Sequence, residues 1–278
     1  MPSVRLGRFR FPISKSATFG LAVADLSVSS RRFIRASRSK NLSHLHALER
    51  AFSRRLFTRL DVALDVGGLE HIDPDQTYLV VATHESLLDP IALQHLPLDL
   101  KFVARRDLLS EPLVGRYLEA TGQPLVNPEQ GWRGIRHLIN IAPDLAAANE
   151  HLVIFPQGSI LGIELQFRDG LAWLAERLGW PILPVVLTGG HRIWEHPFSP
   201  TVRFGKRLSM RILEPIPYQN LDITALEDAM RAQALSASVA PARRFNPDRD
   251  GWWDGFSYEI NPQFADLARR VEARRRQA

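Results

Sequence analysis

The chain contains no cysteine. That excludes thiol nucleophiles, disulfides and thiolate zinc sites together. It fits a protein facing a reducing compartment. No apolar run is long enough to span a bilayer. Ala17 to Val28 comes nearest, but Asp25 interrupts it and no cleavage-site pattern follows, so it does not read as a signal peptide. Acidic residues are scarce at one end: residues 1–60 hold only Asp25 and Glu49 against thirteen Lys or Arg, a charge of +11. The remainder carries −6, so the overall +5 is an N-terminal property. With 278 residues and 45% hydrophobic content, there is ample material for one large core.

Residues 1–60 mix arginines with apolar side chains. Leu45, Leu48, Ala51, Phe52, Leu56 and Leu60 recur at helical spacing, with Arg50, Arg54, Arg55 and Arg59 largely on other faces. Such a basic amphipathic helix can lie on an anionic membrane. A helix packed on the main domain, or a nucleic-acid-binding arm, would share the pattern.

From Asp61 the period changes. Val62–Val66 reads as a strand ending at Gly67-Gly68, and Tyr78–Ala82 as a buried strand. The second strand opens into Thr83-His84-Glu85-Ser86-Leu87-Leu88-Asp89-Pro90. Pro90 suits the first turn of a helix. A single turn can therefore bring the Asp89 carboxylate to one imidazole nitrogen of His84, leaving the other free as a general base. A loop histidine followed by a helix-capping aspartate would give the same spacing without any catalysis.

Later strand ends carry polar groups of matching kind. Leu100–Ala104 runs into Arg105-Arg106-Asp107, whose guanidinium forks suit phosphate. Gly122–Val126 is a short strand, and residues 131–150 a long helix that Pro143 should kink or restart. His151–Phe155 is a strand entering Pro156-Gln157-Gly158-Ser159, a turn in which Gly158 can present an N–H to an oxyanion. Leu171–Leu178 is a helix, Pro181–Gly189 a strand, and Val202–Phe204 with Leu208–Leu213 a late hairpin around Gly205. Ile223–Ala237 and Phe264–Arg276 read as helices, with Trp252, Trp253, Phe256 and Tyr258 between them. His191 and His196 lack further ligand spacing around them, so no metal is expected.

These motifs, in this order, resemble the glycerolipid acyltransferase family, which contains the lysophosphatidic acid acyltransferases. Its first motif is Asn-His, four residues, Asp and usually Pro, with Ser two after the His; here His84, Ser86, Asp89 and Pro90 match and Thr83 replaces the Asn. Its second region is matched by Ala104, Arg105, Arg106, Asp107, Pro112 and Gly115, although Asn127 and Pro128 stand where an Arg is often found. Its third motif, Phe-Pro-Glu-Gly, Thr or Ser, Arg, is matched by Phe155, Pro156, Gly158 and Ser159, with Gln157 and Ile160 as departures. Phe167-Arg168-Asp169-Gly170 matches the segment downstream, and the 181–189 strand its fourth motif.

The resemblance covers roughly residues 62–215. It implies an α/β fold with a mixed, mostly parallel sheet flanked by helices, preceded by a basic helical N-terminal segment. The expected divisions are a membrane-associating segment (1–60), an acyltransferase domain (61–220) and a C-terminal helical extension (221–278). It implies fatty acyl transfer from acyl-CoA or acyl carrier protein to a hydroxyl of a lysophospholipid or related lipid, without cofactor or metal, at the cytoplasmic face of a membrane. His84 and Asp89 would be catalytic with Gly158, and Ser86, Arg105, Arg106, Gln157, Ser159 and Arg168 would meet substrate. Loss of Glu at 157 and Arg at 160 leaves the acceptor head group open. A thioester or lipid hydrolase, and a catalytically degenerate protein binding membrane or nucleic acid, remain as other readings of the same residues.

Overall fold

Central strands buried on both faces read as unbroken apolar runs rather than alternating ones, and this chain has such strands at its centre. The structure is a computed structural model that describes residues 3–6, 9–12, 28–29, 32–36, 41–110, 114–127, 131–158, 165–194 and 202–237, with residues 265 and 269. Strands β1 (Ser3–Leu6) and β2 (Phe9–Pro12) pair antiparallel with Val4 opposite Phe11. The main sheet holds β3 (Ala63–Gly67), β4 (Leu79–Ala82), β5 (Asp99–Phe102), β8 (Glu150–Ile154), β9 (Ile182–Thr188) and β10 (Arg207–Ile212). Its order is β3-β10-β9-β4-β8-β5, and every pairing is parallel except β10 with β9. Two short strands, β6 (Ala104–Arg105) and β7 (Leu125–Val126), form a small parallel pair.

Every residue of β4, β8 and β9 is buried. Alternate side chains serve two cores. Val80, Ala82, Leu183 and Val185 pack with Leu45, Phe52, Leu56 and Phe57 of the Leu42–Leu60 helix and with Ala92 and Leu93 of the Asp89–Leu93 helix. Leu79, Val81, Ile182 and Val186 pack instead with the helices Trp132–Ala147, Gly170–Leu178 and Ile223–Ser236. The result is a mixed, mostly parallel sheet between two helical layers.

Several expectations change. Most of the apolar face of Leu42–Leu60, expected to meet a membrane, is turned into the domain core, where Leu45, Phe52, Leu56, Phe57 and Leu60 are buried. The segment before it includes the β1–β2 pairing as well as helix. Pro143 does not divide its helix, which runs from Trp132 to Ala147. No hairpin forms around Gly205: Val202 bridges Trp194, while β10 lies between β9 and β3. The aromatic residues 252–258 lie outside the described residues, as does most of the expected final helix.

Polar groups fasten the first long helix as firmly as apolar ones. His46 lies between Glu49 (2.9 Å) and Glu150 (2.7 Å), and Tyr117 donates to Glu49 at 2.6 Å. Lys101 stands 3.3 Å from Glu150 and donates to the Thr121 carbonyl at 2.7 Å. Burial opposes the charged imidazole of His46, but hydrogen bonds to Glu150 and Glu49 prevail and raise its pKa to about 9.

Candidate active site

The parallel strands β9, β4, β8 and β5 end on one edge of the sheet, where polar loops gather in folds of this kind. β4 is continued one residue by a side chain. The Thr83 hydroxyl accepts the Leu187 N–H at 2.7 Å and donates to the Leu187 carbonyl at 3.0 Å. The chain then leaves the sheet at His84 and turns into the Asp89–Leu93 helix, with Pro90 in its first turn.

Asp89 is fully buried, and its Oδ2 meets three donors: His84 Nδ1 at 2.8 Å, the Glu85 N–H at 2.6 Å and the Ser86 N–H at 2.7 Å. Two of these are backbone donors, so Oδ2 is an acceptor and the imidazole hydrogen lies on Nδ1. Nε2 is thereby left as the basic nitrogen. The His84 side chain is 14% exposed while that of Asp89 is sealed. The ring stacks on Phe155, with centroids 4.1 Å apart and planes at 22°. The sequence was silent on this contact, since Phe155 precedes a turn some seventy residues away in the chain.

The other expected site residues divide into three groups. Some are brought into the loops around His84. Ser86 is fully buried and donates to the Trp194 carbonyl at 2.5 Å, so it ties two loops together. Gln157 is buried and its Oε1 accepts the His84 N–H at 3.1 Å, so it holds the histidine's backbone. Gly158 has φ +70°, as its turn requires, but its N–H is bound to the Phe155 carbonyl at 2.9 Å. That N–H, expected to face an oxyanion, is bound within the turn in this structure.

A second group is placed near the site without touching His84. Arg168 is exposed, and its guanidinium lies over Gly158: a Cβ on Gly158 would fall 2.7 Å from Arg168 Nε. Its backbone N–H binds the Pro156 carbonyl at 3.1 Å, which fixes it to the same turn. Arg105 and Arg106 follow β5 on the same sheet edge. Arg105 forms a fork with Asp107 through Nε (3.1 Å) and Nη2 (2.5 Å), and this hydrogen bonding holds the Asp107 carboxyl below its usual range. Arg106 is exposed. Ser159, the third group, lies outside the described residues, as does His196.

Sequence reasoning overlooked Glu85. It is buried directly after His84, and its Oε2 accepts the Gly189 N–H at 2.8 Å and faces His191 Nδ1 at 3.0 Å. An acidic residue so close to the end of a wholly apolar strand was the available signal, because a buried carboxyl needs donors. Among the described residues no group of three or more His, Cys, Asp or Glu is arranged for a metal ion. A cavity of about 360 Å³ lined by Arg50, Asp99, Asn149 and His151 opens at the starts of β5 and β8, the strand ends opposite to His84.

Residues 63–188 match the family model described as Acyltransferase. The chain is 27% identical over 184 residues to the 1-acyl-sn-glycerol-3-phosphate acyltransferase alpha of Ovis aries, covering 63% of this chain and 62% of that protein. The Homo sapiens protein of the same name is also 27% identical over 184 residues, covering 63% of each chain. The 1-acyl-sn-glycerol-3-phosphate acyltransferase of Cocos nucifera is 28% identical over 144 residues, covering 51% of this chain and 46% of its own. The chain thus spans less than two thirds of the length of the curated relatives at the head of this comparison. The crystal structure of a 1-acyl-sn-glycerophosphate acyltransferase, PlsC, from Thermotoga maritima has the same fold, with a TM-score of 0.67 at 20% identity over 81% of this chain and 96% of that one.

Proposed function

We infer from a chain that carries an acyltransferase-family domain through residues 63–188 that it moves a fatty acyl group from a thioester donor to the hydroxyl of a 1-acylglycerol-3-phosphate-like lipid. The observation that carries this reading is the His84–Asp89 pair: a 2.8 Å contact in which the acid is wholly buried and the imidazole is not. The donor is acyl-CoA or acyl carrier protein.

In this mechanism His84 Nε2 takes the proton of the acceptor hydroxyl, and Asp89 Oδ2 holds Nδ1–H and stabilises the imidazolium. The acceptor oxygen bonds to the thioester carbonyl carbon, giving a tetrahedral oxyanion. As the carbonyl reforms, the C–S bond breaks and the departing thiolate receives the proton from His84. No acyl-enzyme is formed, and a general base of this kind contributes about a hundredfold to ten-thousandfold. Phe155 fixes the ring plane and Gln157 the backbone of the same residue. Arg168, exposed over the Gly158 turn, is the cation offered to the developing oxyanion or the acceptor's phosphate.

Among the described residues no helix is long and apolar enough to cross a membrane. The apolar face of the first long helix is occupied by the core, so membrane attachment at a cytoplasmic face falls to the surplus of positive charge in residues 1–60. The test is labelled acyl-CoA with a panel of acceptors, 1-acylglycerol-3-phosphate and phosphate-free monoacylglycerol among them. Label appearing in the diacyl product supports transfer, and equal thioester loss with and without acceptor overturns it.

A further inference from the structure

We propose that Glu85, Gly190 and His191 form a positioning brace that keeps Asp89 in register with His84; the inference rests on the reading of His84 as the general base. Asp89 has two oxygens in different situations. Oδ2 is held by three donors. Oδ1 is buried and has no hydrogen-bond donor among the described residues, so that side of the carboxyl is held by packing alone.

Gly190 is placed against that oxygen. A Cβ on Gly190 would lie 2.7 Å from Asp89 Oδ1 and 3.0 Å from Ser86 Cβ. Gly190 therefore forms a wall from which any side chain would push into the carboxyl. The wall has its own support. Glu85 Oε2 accepts the Gly189 N–H at 2.8 Å and the His191 Nδ1–H at 3.0 Å, gripping the turn on both sides of Gly190. Both side chains are buried. The Gly190 carbonyl accepts the Trp194 N–H at 3.1 Å, and the Trp194 carbonyl accepts Ser86 Oγ at 2.5 Å. The circuit therefore begins and ends in the loop between His84 and Asp89. Glu85 does not touch the reacting atoms; it acts through Gly190 on Asp89, and through Asp89 on the imidazole.

The experiment compares Gly190→Ala, Glu85→Ala, Glu85→Gln and His191→Ala with the unmodified full chain, by steady-state kinetics and by NMR of the imidazole N–H signals. A shift of an ångström at a catalytic group can cost on the order of a hundredfold. Gly190→Ala and Glu85→Ala are expected to lower kcat by about that factor, with donor and acceptor KM little changed and the low-field Nδ1–H signal of His84 weakened or lost. Glu85→Gln keeps a carbonyl acceptor for the Gly189 N–H and should recover most of kcat. Wild-type kcat together with an intact His84 signal in Gly190→Ala and Glu85→Ala overturns the brace. If the unmodified chain transfers no acyl group, the general-base reading fails, and the brace then stands or falls on whether Gly190→Ala removes the His84 signal. Should Gly190→Ala fail to fold, Glu85→Ala and His191→Ala decide by the same two readouts.

Discussion

The ring of Phe155 lies beneath that of His84, with 4.1 Å between centroids and 22° between planes. The imidazole is thus fixed in two directions, in its plane by Asp89 and out of its plane by Phe155. Phe155→Leu keeps an apolar surface without the flat support. It is expected to reduce kcat by roughly tenfold through a looser reactive geometry, with a melting temperature close to that of the parent. Unchanged kcat in Phe155→Leu would assign the stacking to packing alone.

Arg168 lies over the Gly158 turn and is exposed. If it receives the acceptor's phosphate, Arg168→Ala raises KM for 1-acylglycerol-3-phosphate by about tenfold, the usual scale for a charge-assisted contact. The phosphate-free acceptor should be unaffected. If it serves the oxyanion instead, kcat falls for both acceptors by about a hundredfold. Wild-type values for both would remove it from the site.

Two neighbouring histidines set the stability profile. The pKa of His46 is raised from 6.5 to about 9 once its bonds to Glu150 and Glu49 outweigh burial. Its contribution is fully present below pH 6.5 and disappears as pH rises through about 9. Burial lowers His151 from 6.5 to about 4, so the native state is penalised as pH falls from 6.5 towards 4. Denaturant unfolding is therefore expected to give a maximum near neutrality. His46→Gln should flatten the alkaline limb, where on the order of 3 kcal/mol is at stake. A His46→Gln chain with the parent's alkaline slope would refute this assignment.

Cutting the chain at residue 60 removes Leu45, Phe52, Leu56, Phe57 and Leu60 from the core. Each buried side chain of this kind is worth about 1.5–3 kcal/mol, and whole domains are stable by only about 5–15 kcal/mol. The truncated chain is expected to be insoluble, which makes it useless for measuring membrane contact. Replacing Arg5, Arg8 and Arg10 with Glu tests the charge directly. At about 1 kcal/mol per basic residue, binding to anionic vesicles should fall by a hundredfold or more. Unaltered vesicle binding would move the membrane contact elsewhere.

The parts of this molecule that were legible in the sequence are those governed by local rules. The apolar runs at Leu79–Ala82 and Ile182–Thr188 read as buried strands and are so, and Pro90 marks the helix that carries Asp89. The His84–Asp89 bond follows from that local geometry. What could not be read is set by tertiary packing. An amphipathic helix has the same periodicity whether its apolar stripe meets lipid or protein, so the periodicity of Leu42–Leu60 alone does not show that Val80 and Leu183 cover it. The polar residues set within that stripe, His46, Glu49 and Ser53, were the overlooked clue, since a membrane would not satisfy them. Motif position says nothing of the bonds from Ser86 to the Trp194 carbonyl and from the His84 N–H to Gln157, because they join segments distant in the chain.

The account depends most on the proton-accepting role of His84, and His84→Gln in the full chain tests it. With labelled acyl-CoA and 1-acylglycerol-3-phosphate, kcat is expected to fall by about a hundredfold to ten-thousandfold, while the melting temperature and vesicle binding stay near those of the parent. Transfer at close to the parental rate in a folded His84→Gln chain would contradict it.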